Sequence, residues 1–196
     1  DGHFLVVGGT SSNQDDVTLT STDGINWSLI SGGPRSGPSG FVVCAYSNGY
    51  WVTLNPYTSI GGYRSTDLTT WTPMNNGRQS LAFKGLVGDG KGTFVAAVAD
   101  EDNIFTSVDN GLNWQRLSIK DTNNNILDLY GGIAYGNGAF MTVGYPGQLS
   151  TNMARSMISE DGINWTFINT TVDQGTGSNW NAVGFGNGKF VAATRS

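Results

Sequence analysis

The sequence is poor in the residues that build catalytic and metal centres. Its 196 residues include one histidine, His3, and one cysteine, Cys44. With so few, neither a histidine-based triad nor a zinc site can be assembled, so we expect no metal and no cofactor. A single cysteine also excludes an internal disulfide. Because Cys44 lies in the apolar run at residues 41–45, we predict that it is a small core side chain.

Positive charge is also scarce. Lys and Arg number 10 against 15 Asp and Glu, and the net charge is −5. A chain without a basic run lacks the attraction that supplies most non-specific affinity for nucleic acid and for anionic membranes. No apolar stretch approaches the roughly 18 residues of a membrane-spanning helix. We therefore expect no nucleic-acid partner and no membrane insertion.

Glycine, in contrast, is abundant, with 29 residues, and 38% of the chain is hydrophobic. That hydrophobic content suffices for a core, while glycine with many Ser, Thr and Asn residues is typical of short strands joined by tight turns. Helical periodicity is nearly absent. The composition predicts an all-β domain.

A short motif recurs along the chain. The pattern Ser-x-Asp-Gly-x-x-Trp occupies residues 21–27 and 159–165, a variant without Gly occupies 65–71, and a variant with one additional residue occupies 107–114. We call the copies at residues 21–27, 65–71, 107–114 and 159–165 boxes 1, 2, 3 and 4. Their tryptophans lie 44, 43 and 51 residues apart, which is the period of a four-stranded propeller blade. The repeated residues are Ser21, Asp23, Trp27, Ser65, Asp67, Trp71, Ser107, Asp109, Trp114, Ser159, Asp161 and Trp165.

A second signal alternates with the boxes. Asn-Gly followed by an aromatic strand occurs at residues 48–51, 137–140 and 187–190, and a Gly-rich variant occurs at 89–94. Asn-Gly between apolar runs is a strong hairpin signal, because both central residues of such a turn need a positive φ. Each unit then has four antiparallel strands, A to D, with the Asn-Gly turn between A and B and the box between C and D. We predict a β-propeller with about four to five blades' worth of sequence.

Both ends of the chain fall inside a blade. Residues 1–4 match the second half of the hairpin at 187–190, and the chain stops about where another box would begin. We expect residues 1–196 to form a single propeller domain that is a fragment of a longer propeller, truncated at both ends. The alternative is a closed small propeller in which the terminal strands A and B complete the first blade.

These boxes resemble the Asp-box, or bacterial neuraminidase repeat, family, whose pattern is Ser-x-Asp-x-Gly-x-Thr-Trp. Asn26, Asn113 and Asn164 replace the usual Thr, and Thr70 keeps it. The family includes sialidases, photosystem assembly factors, sorting receptors, and phage and bacterial surface proteins. The resemblance implies a propeller with its boxes at the outer edges of the blades, in an extracellular or virion-associated protein.

The four box aspartates look at first like catalytic carboxylates. An Asp in a turn, however, accepts hydrogen bonds from backbone N–H groups one to three residues onward and so closes the turn by itself. Aspartates in four separate blades would also be too far apart to cooperate. We therefore interpret the box residues as structural and expect no catalytic residue among them.

The remaining connections offer a recognition surface. The A–B and C–D turns are short and lie at one end of the blades, so the long B–C and D–A loops, which differ in every repeat, lie at the other. Variable loops on a repeated scaffold usually carry recognition. Aromatic rings and amides suit sugars, although Asn and Gly also serve turns and Trp180 could instead pack between blades. The candidate ligand residues are Trp180, Asn179, Tyr145, Arg35, Arg78, Tyr57 and Asn124.

Three functions remain open. The first is a non-catalytic module that binds a glycan or a protein, within a larger phage tail, virion or bacterial surface assembly. The second is a sialidase-like glycoside hydrolase, which needs three convergent arginines, a Tyr-Glu pair and an acid-base Asp. The only glutamates are Glu101, in an acidic run, and Glu160, inside box 4, and no Arg-Ile-Pro motif precedes box 1. The third is a purely structural propeller that contacts other proteins.

Overall fold

The computed structural model describes residues 2–9, 16–31, 33, 43–55, 61–74, 81–99, 103–120, 132–144, 155–168 and 179–195. Within these ranges every regular element is a β-strand, which confirms the all-β prediction. They contain no helix that could cross a membrane.

The strands form five antiparallel sheets in chain order, which we call blades 1 to 5. Blades 2, 3 and 4 have the four strands that the repeat predicts. Blade 1 has three strands and blade 5 has two. The strands are β1 (Phe4–Gly9), β2 (Asp16–Ser21) and β3 (Ser28–Leu29) in blade 1; β4 (Val43–Ser47), β5 (Tyr50–Leu54), β6 (Gly62–Ser65) and β7 (Thr72–Met74) in blade 2; β8 (Ala82–Gly88), β9 (Phe94–Ala99), β10 (Asn103–Ser107) and β11 (Gln115–Ser118) in blade 3; β12 (Ile133–Gly136), β13 (Ala139–Gly144), β14 (Arg155–Ser159) and β15 (Thr166–Ile168) in blade 4; and β16 (Asn179–Gly186) and β17 (Lys189–Arg195) in blade 5.

In blades 2, 4 and 5 the A–B connections are the tight turns that Asn-Gly predicts. In blade 2, Ser47 pairs with Tyr50, so that only Asn48 and Gly49 remain in the turn. Their φ angles are 49° and 82°. The turns of blades 4 and 5 have the same length and the same left-handed backbone, which fixes the register of both strands on either side.

The blades lie side by side through their first strands. β4 contacts β8, β8 contacts β12 and β12 contacts β16. Since each of these is the A strand of its blade, the A strands form the inner layer and the C and D strands lie farther out. This radial order is the arrangement of a propeller.

The core lies in two layers between the blades. Phe94, Ala96 and Val98 of β9 face blade 2, where they meet Val52 and Leu54. The alternate residues Val95 and Ala97 face blade 4, where they meet Phe140 and Met157. β9 is thus buried on both faces, which explains why its sequence is continuously apolar rather than alternating.

The terminal sheets are less enclosed. β1–β3 pair only with one another, and β16 and β17 form a separate two-stranded sheet among the described residues. Side chains that would be core in a central blade are open here: Phe4 is 54% exposed and Val191 is 67% exposed.

Cys44 is half-buried between blades 1 and 2. Its thiol approaches the carbonyl oxygen of Leu5 at 3.7 Å. Burial raises the pKa of this thiol, which keeps it protonated and unreactive near neutral pH. The residue packs as the sequence suggests, although less deeply than a central core side chain.

Candidate functional site

Each box is closed by its own serine and aspartate, as box 4 illustrates. Ser159 Oγ donates to Asp161 Oδ1 at 3.0 Å and accepts from the N–H of Gly162 at 2.8 Å. Asp161 Oδ1 also accepts from the N–H groups of Ile163 and Asn164, at 2.8 and 2.7 Å. Trp165 Nε1 donates to the Gly162 carbonyl at 3.2 Å. The turn therefore satisfies its polar groups from within.

The second carboxylate oxygen is also occupied, through the Asn that replaces the family's usual Thr. Asn164 Nδ2 donates to Asp161 Oδ2 at 2.7 Å, and Asn26 and Asn113 make the same bond to their box aspartates at the same distance. Sequence reasoning noted this replacement without explaining it. The available signal was the short spacing between the carboxylate and the carboxamide, which is three residues in boxes 1 and 4 and four residues in box 3.

These hydrogen bonds keep the box aspartates ionised. In boxes 1, 2 and 4 the backbone N–H of the residue before the Trp lowers the pKa of the Asp most, and the pKa lies well below its ordinary value of 3.8. In box 3, burial raises the pKa of Asp109, but hydrogen bonds from Asn113 and Ser107 outweigh it and the net shift is downward. A carboxyl group whose pKa lies this far below neutral pH is a poor proton donor or acceptor for general acid–base chemistry.

The boxes of blades 3 and 4 are seated on the preceding blade. A Cβ atom at Gly111 would lie 2.6 Å from Val52 Cγ2, and one at Gly162 would lie 2.8 Å from Val95 Cγ2. Both valines are on the B strand of the blade before. Thr106 Oγ1 of blade 3 also donates to the Gly162 carbonyl at 2.6 Å. The box is thus an inter-blade contact as well as a turn.

The A–B turns and the boxes lie at the same end of the blades, which we call the turn end. Asn48 Nδ2, in an A–B turn, donates to Asn110 Oδ1, in box 3, at 2.9 Å. Asn137 Nδ2 donates to the Gly188 carbonyl of the next A–B turn, also at 2.9 Å. The A–B turns and the boxes thus lie at one end of the blades, as the sequence predicts. Side-chain hydrogen bonds link neighbouring blades at this end.

The opposite end carries the B–C and D–A loops, and we call it the loop end. Trp180 and Asn179 lie within the first two positions of β16 at this end, whereas the sequence suggested that they precede the strand. Trp180 pairs with Thr194 beside a register shift and is half-buried, and its buried Nε1 has no hydrogen-bond partner among the described residues. Of Asn179 only the backbone is described. The other predicted ligand residues lie outside the described residues: Tyr145, Arg35, Arg78, Tyr57 and Asn124.

An open cleft of about 410 Å³ lies beside box 4. Ile158 in this cleft immediately precedes the box serine, as Thr106 does in blade 3, where that residue contacts the box of the following blade. The cleft therefore corresponds to the seat of a box and has the character of a packing surface. Its lining residues are Ile158, Ser159, Glu160, Asp161, Asn164 and Thr166. Within the described ranges, no cluster of three His, Cys, Asp or Glu residues could hold a metal ion.

The sequence matches no protein-family model and no curated protein sequence. Solved structures do match. YCF48 from Cyanidioschyzon merolae has a TM-score of 0.61 at 15% identity, over 98% of this chain and 61% of its own. A chain in the nidogen/laminin complex has a TM-score of 0.60 at 15% identity, over 91% and 64%. An ancestral GH74 enzyme has a TM-score of 0.58 at 16% identity, over 92% and 27%.

These likenesses define the class of fold: the chain is a β-propeller, as its repeat period predicts. It spans less than two thirds of the length of each of these structures. At such low identities the likeness establishes the fold alone, and a glycoside hydrolase stands beside propellers of other kinds.

Proposed function

We propose that this chain is an Asp-box propeller segment that acts as a non-catalytic recognition module of a larger phage tail, virion or bacterial surface protein. Its ligand would bind at the loop end. One observation carries the proposal: the short turns of the turn end are tied to one another across blades, at Asn48 to Asn110 and at Asn137 to Gly188. The long connections that differ from repeat to repeat lie at the other end, where binding loops can change without disturbing the scaffold.

The state of the carboxylates favours binding over catalysis. A glycosidase needs one carboxyl group that stays protonated and a second that attacks or activates water. The four box aspartates have lowered pKa values, and their carboxylate oxygens accept hydrogen bonds from their own turns. Glu160 belongs to box 4 at the turn end. The rival glycosidase function would need its acid and nucleophile from other carboxyl groups.

A protein surface is the first ligand class that we propose. The nidogen/laminin structure is that of a protein–protein complex, which supports a protein ligand for a chain of the same fold. A glycan is the second class, and it is supported by the half-buried ring of Trp180 beside Asn179 at the loop end, because an indole face can stack on a pyranose. A purely structural contact within a larger assembly is the remaining alternative.

The proposal is tested with the isolated chain on a displayed peptide library and on a glycan array. We expect selective binding to one of them and no hydrolysis of glycosides. Trp180→Ala should abolish that binding. Trp27→Ala, which removes a partly exposed indole from box 1, should leave it unchanged. Turnover of a glycoside, or equal loss of binding in the two variants, would contradict a non-catalytic site at the loop end.

A further inference from the structure

The interface between blades 1 and 2 has polar groups at positions where the interface between blades 3 and 4 is apolar. Trp51 and Phe140 are equivalent, because each pairs with the box serine of its blade. Thr18 and Ile104 are equivalent, because each lies three residues before a box serine. The two residues of blades 3 and 4 pack together in one apolar cluster. Their counterparts Thr18 and Trp51 therefore lie on the facing surfaces of blades 1 and 2.

Cys44 lies on the same surface of blade 2, because its thiol approaches the Leu5 carbonyl of blade 1 at 3.7 Å. Its counterpart in blade 4 is Ile133, as the pairing of the A and B strands shows. Ile133 belongs to the apolar cluster between blades 3 and 4. We call the interface that contains Thr18, Cys44 and Trp51 the blade 1–2 seam.

Two buried polar atoms of the seam have no hydrogen-bond partner among the described residues: Thr18 Oγ1 and Trp51 Nε1. Thr18 is 1% exposed and Trp51 is 6% exposed. Because both atoms are enclosed, a group outside the seam cannot reach them until the seam opens. A buried polar atom without a partner costs free energy, which is recovered when water reaches it. At the position of Thr18 in blade 4, the hydroxyl of Ser156 donates to the Ile168 carbonyl at 3.4 Å.

The box that faces the seam has a strained backbone. Boxes 3 and 4 place Gly111 and Gly162 against the preceding blade, where a Cβ would lie 2.6 and 2.8 Å from a valine methyl group. Box 2 has Leu68 at this position, with a φ of 62° and an exposure of 8%. A leucine rarely adopts this left-handed backbone, and such strain persists only where the surroundings enforce it. Box 2 therefore faces blade 1 with a strained side chain instead of a glycine.

We propose that the blade 1–2 seam is a hinge, at which blade 1 separates from blade 2 while blades 2, 3 and 4 stay packed. In the closed seam two polar atoms are unbonded and one backbone is strained, and opening relieves all three. The interface between blades 2 and 3 has the opposite character. There Ser47 Oγ accepts from the N–H of Gly92 at 3.0 Å and donates to Asp89 Oδ1 at 3.2 Å. Opening of the hinge moves the loop end of blade 1 relative to that of blade 2.

The test uses the indole N–H of Trp51 in the intact chain as its probe. Hydrogen exchange of this group is measured by NMR at increasing urea concentrations, beside exchange of the backbone N–H of Ala96 in the centre of β9. We expect Trp51 to exchange through a local opening whose dependence on urea is weaker than that of Ala96, because opening the seam exposes less surface than unfolding does. Equal dependence on urea at the two sites would overturn the proposal.

Matched variants test whether the buried hydroxyl sets this opening. Thr18→Val keeps the shape of the side chain and removes the unpartnered hydroxyl, so exchange at Trp51 should slow by roughly five- to fiftyfold. Thr18→Ala should likewise exchange more slowly at Trp51 than Thr18→Ser, which keeps the hydroxyl in a smaller side chain. Ser156→Ala removes a hydroxyl that has a partner, and it should leave exchange at Trp51 unchanged. The hinge is refuted if neither comparison at Thr18 slows the exchange, or if Ser156→Ala slows it equally.

Discussion

Gly162 and Gly24 occupy the same place in boxes 4 and 1, but their surroundings differ. Their φ angles are 74° and 73°, so a side chain at either position meets the same left-handed backbone. A Cβ at Gly162 would lie 2.8 Å from Val95 Cγ2 of the preceding blade. A Cβ at Gly24 would have Phe4 Cε2 at 3.7 Å as its nearest neighbour, which is ordinary contact. Replacing each by Ala therefore separates the backbone cost from the cost of pushing two blades apart.

The magnitudes follow from these two terms. The left-handed conformation costs an alanine about 1–2 kcal/mol, and both variants incur this cost. Overpacking against Val95 adds about 1–3 kcal/mol in Gly162→Ala alone. We expect Gly24→Ala to lower the free energy of unfolding by about 1–2 kcal/mol and Gly162→Ala to lower it by about 2–5 kcal/mol.

The measurement is urea unfolding followed by tryptophan fluorescence, with calorimetry on the same samples. For a chain of this length the extra loss in Gly162→Ala corresponds to a melting temperature roughly 2–12 °C below that of Gly24→Ala. Equal losses in the two variants would refute the reasoning, since they would mean that box 4 does not seat against blade 3.

Three further predictions concern the boxes. Asp161→Ala should lower the free energy of unfolding by about 1–3 kcal/mol through its lost hydrogen bonds and leave ligand binding per folded molecule unchanged, so a binding loss without a lower melting temperature would contradict it. The pKa of the box aspartates is lower in the folded chain than the ordinary value of 3.8, so the unfolded chain takes up more protons and the free energy of unfolding should fall as the pH drops below that value. Asp161→Asn should make this acid dependence shallower in unfolding experiments at several pH values. An unchanged slope would count against the prediction. Leu68 is buried, has a φ of 62°, and occupies the position in box 2 that Gly holds in the other boxes. Leu68→Gly should therefore lower the free energy of unfolding by about 1 kcal/mol less than Leu68→Ala in urea unfolding. A smaller loss for Leu68→Ala than for Leu68→Gly would contradict this.

The fold was predictable because its signals are local. A two-residue turn at Asn48-Gly49 and a box closed within four residues, as between Ser159 and Asp161, can both be read from consecutive residues. Repetition at a nearly constant interval then supplies the architecture. The positions of the turns at one end of the blades follow from strand alternation alone.

The contacts between blades were not predictable in the same way. Gly162 meets Val95, and Asn48 meets Asn110, across more than a blade of intervening sequence. Nothing in either local pattern specifies its partner. For the candidate site, the sequence suggested that Trp180 precedes strand A, whereas it lies within β16. The burial of the Trp180 Nε1, which has no partner within the described ranges, could not be foreseen because it depends on the packing around it.

The enclosure of β9 between two blades makes the resistance of the chain to opening uneven along its length. Its amide hydrogens can meet solvent only after blade 2 or blade 4 has moved away, whereas β1 and β17 each have a face with little cover. Opening at β9 therefore requires one of its two neighbouring blades to move first, as in other arrays where each unit is held by its neighbours. Amide exchange should be slowest at residues 94–98.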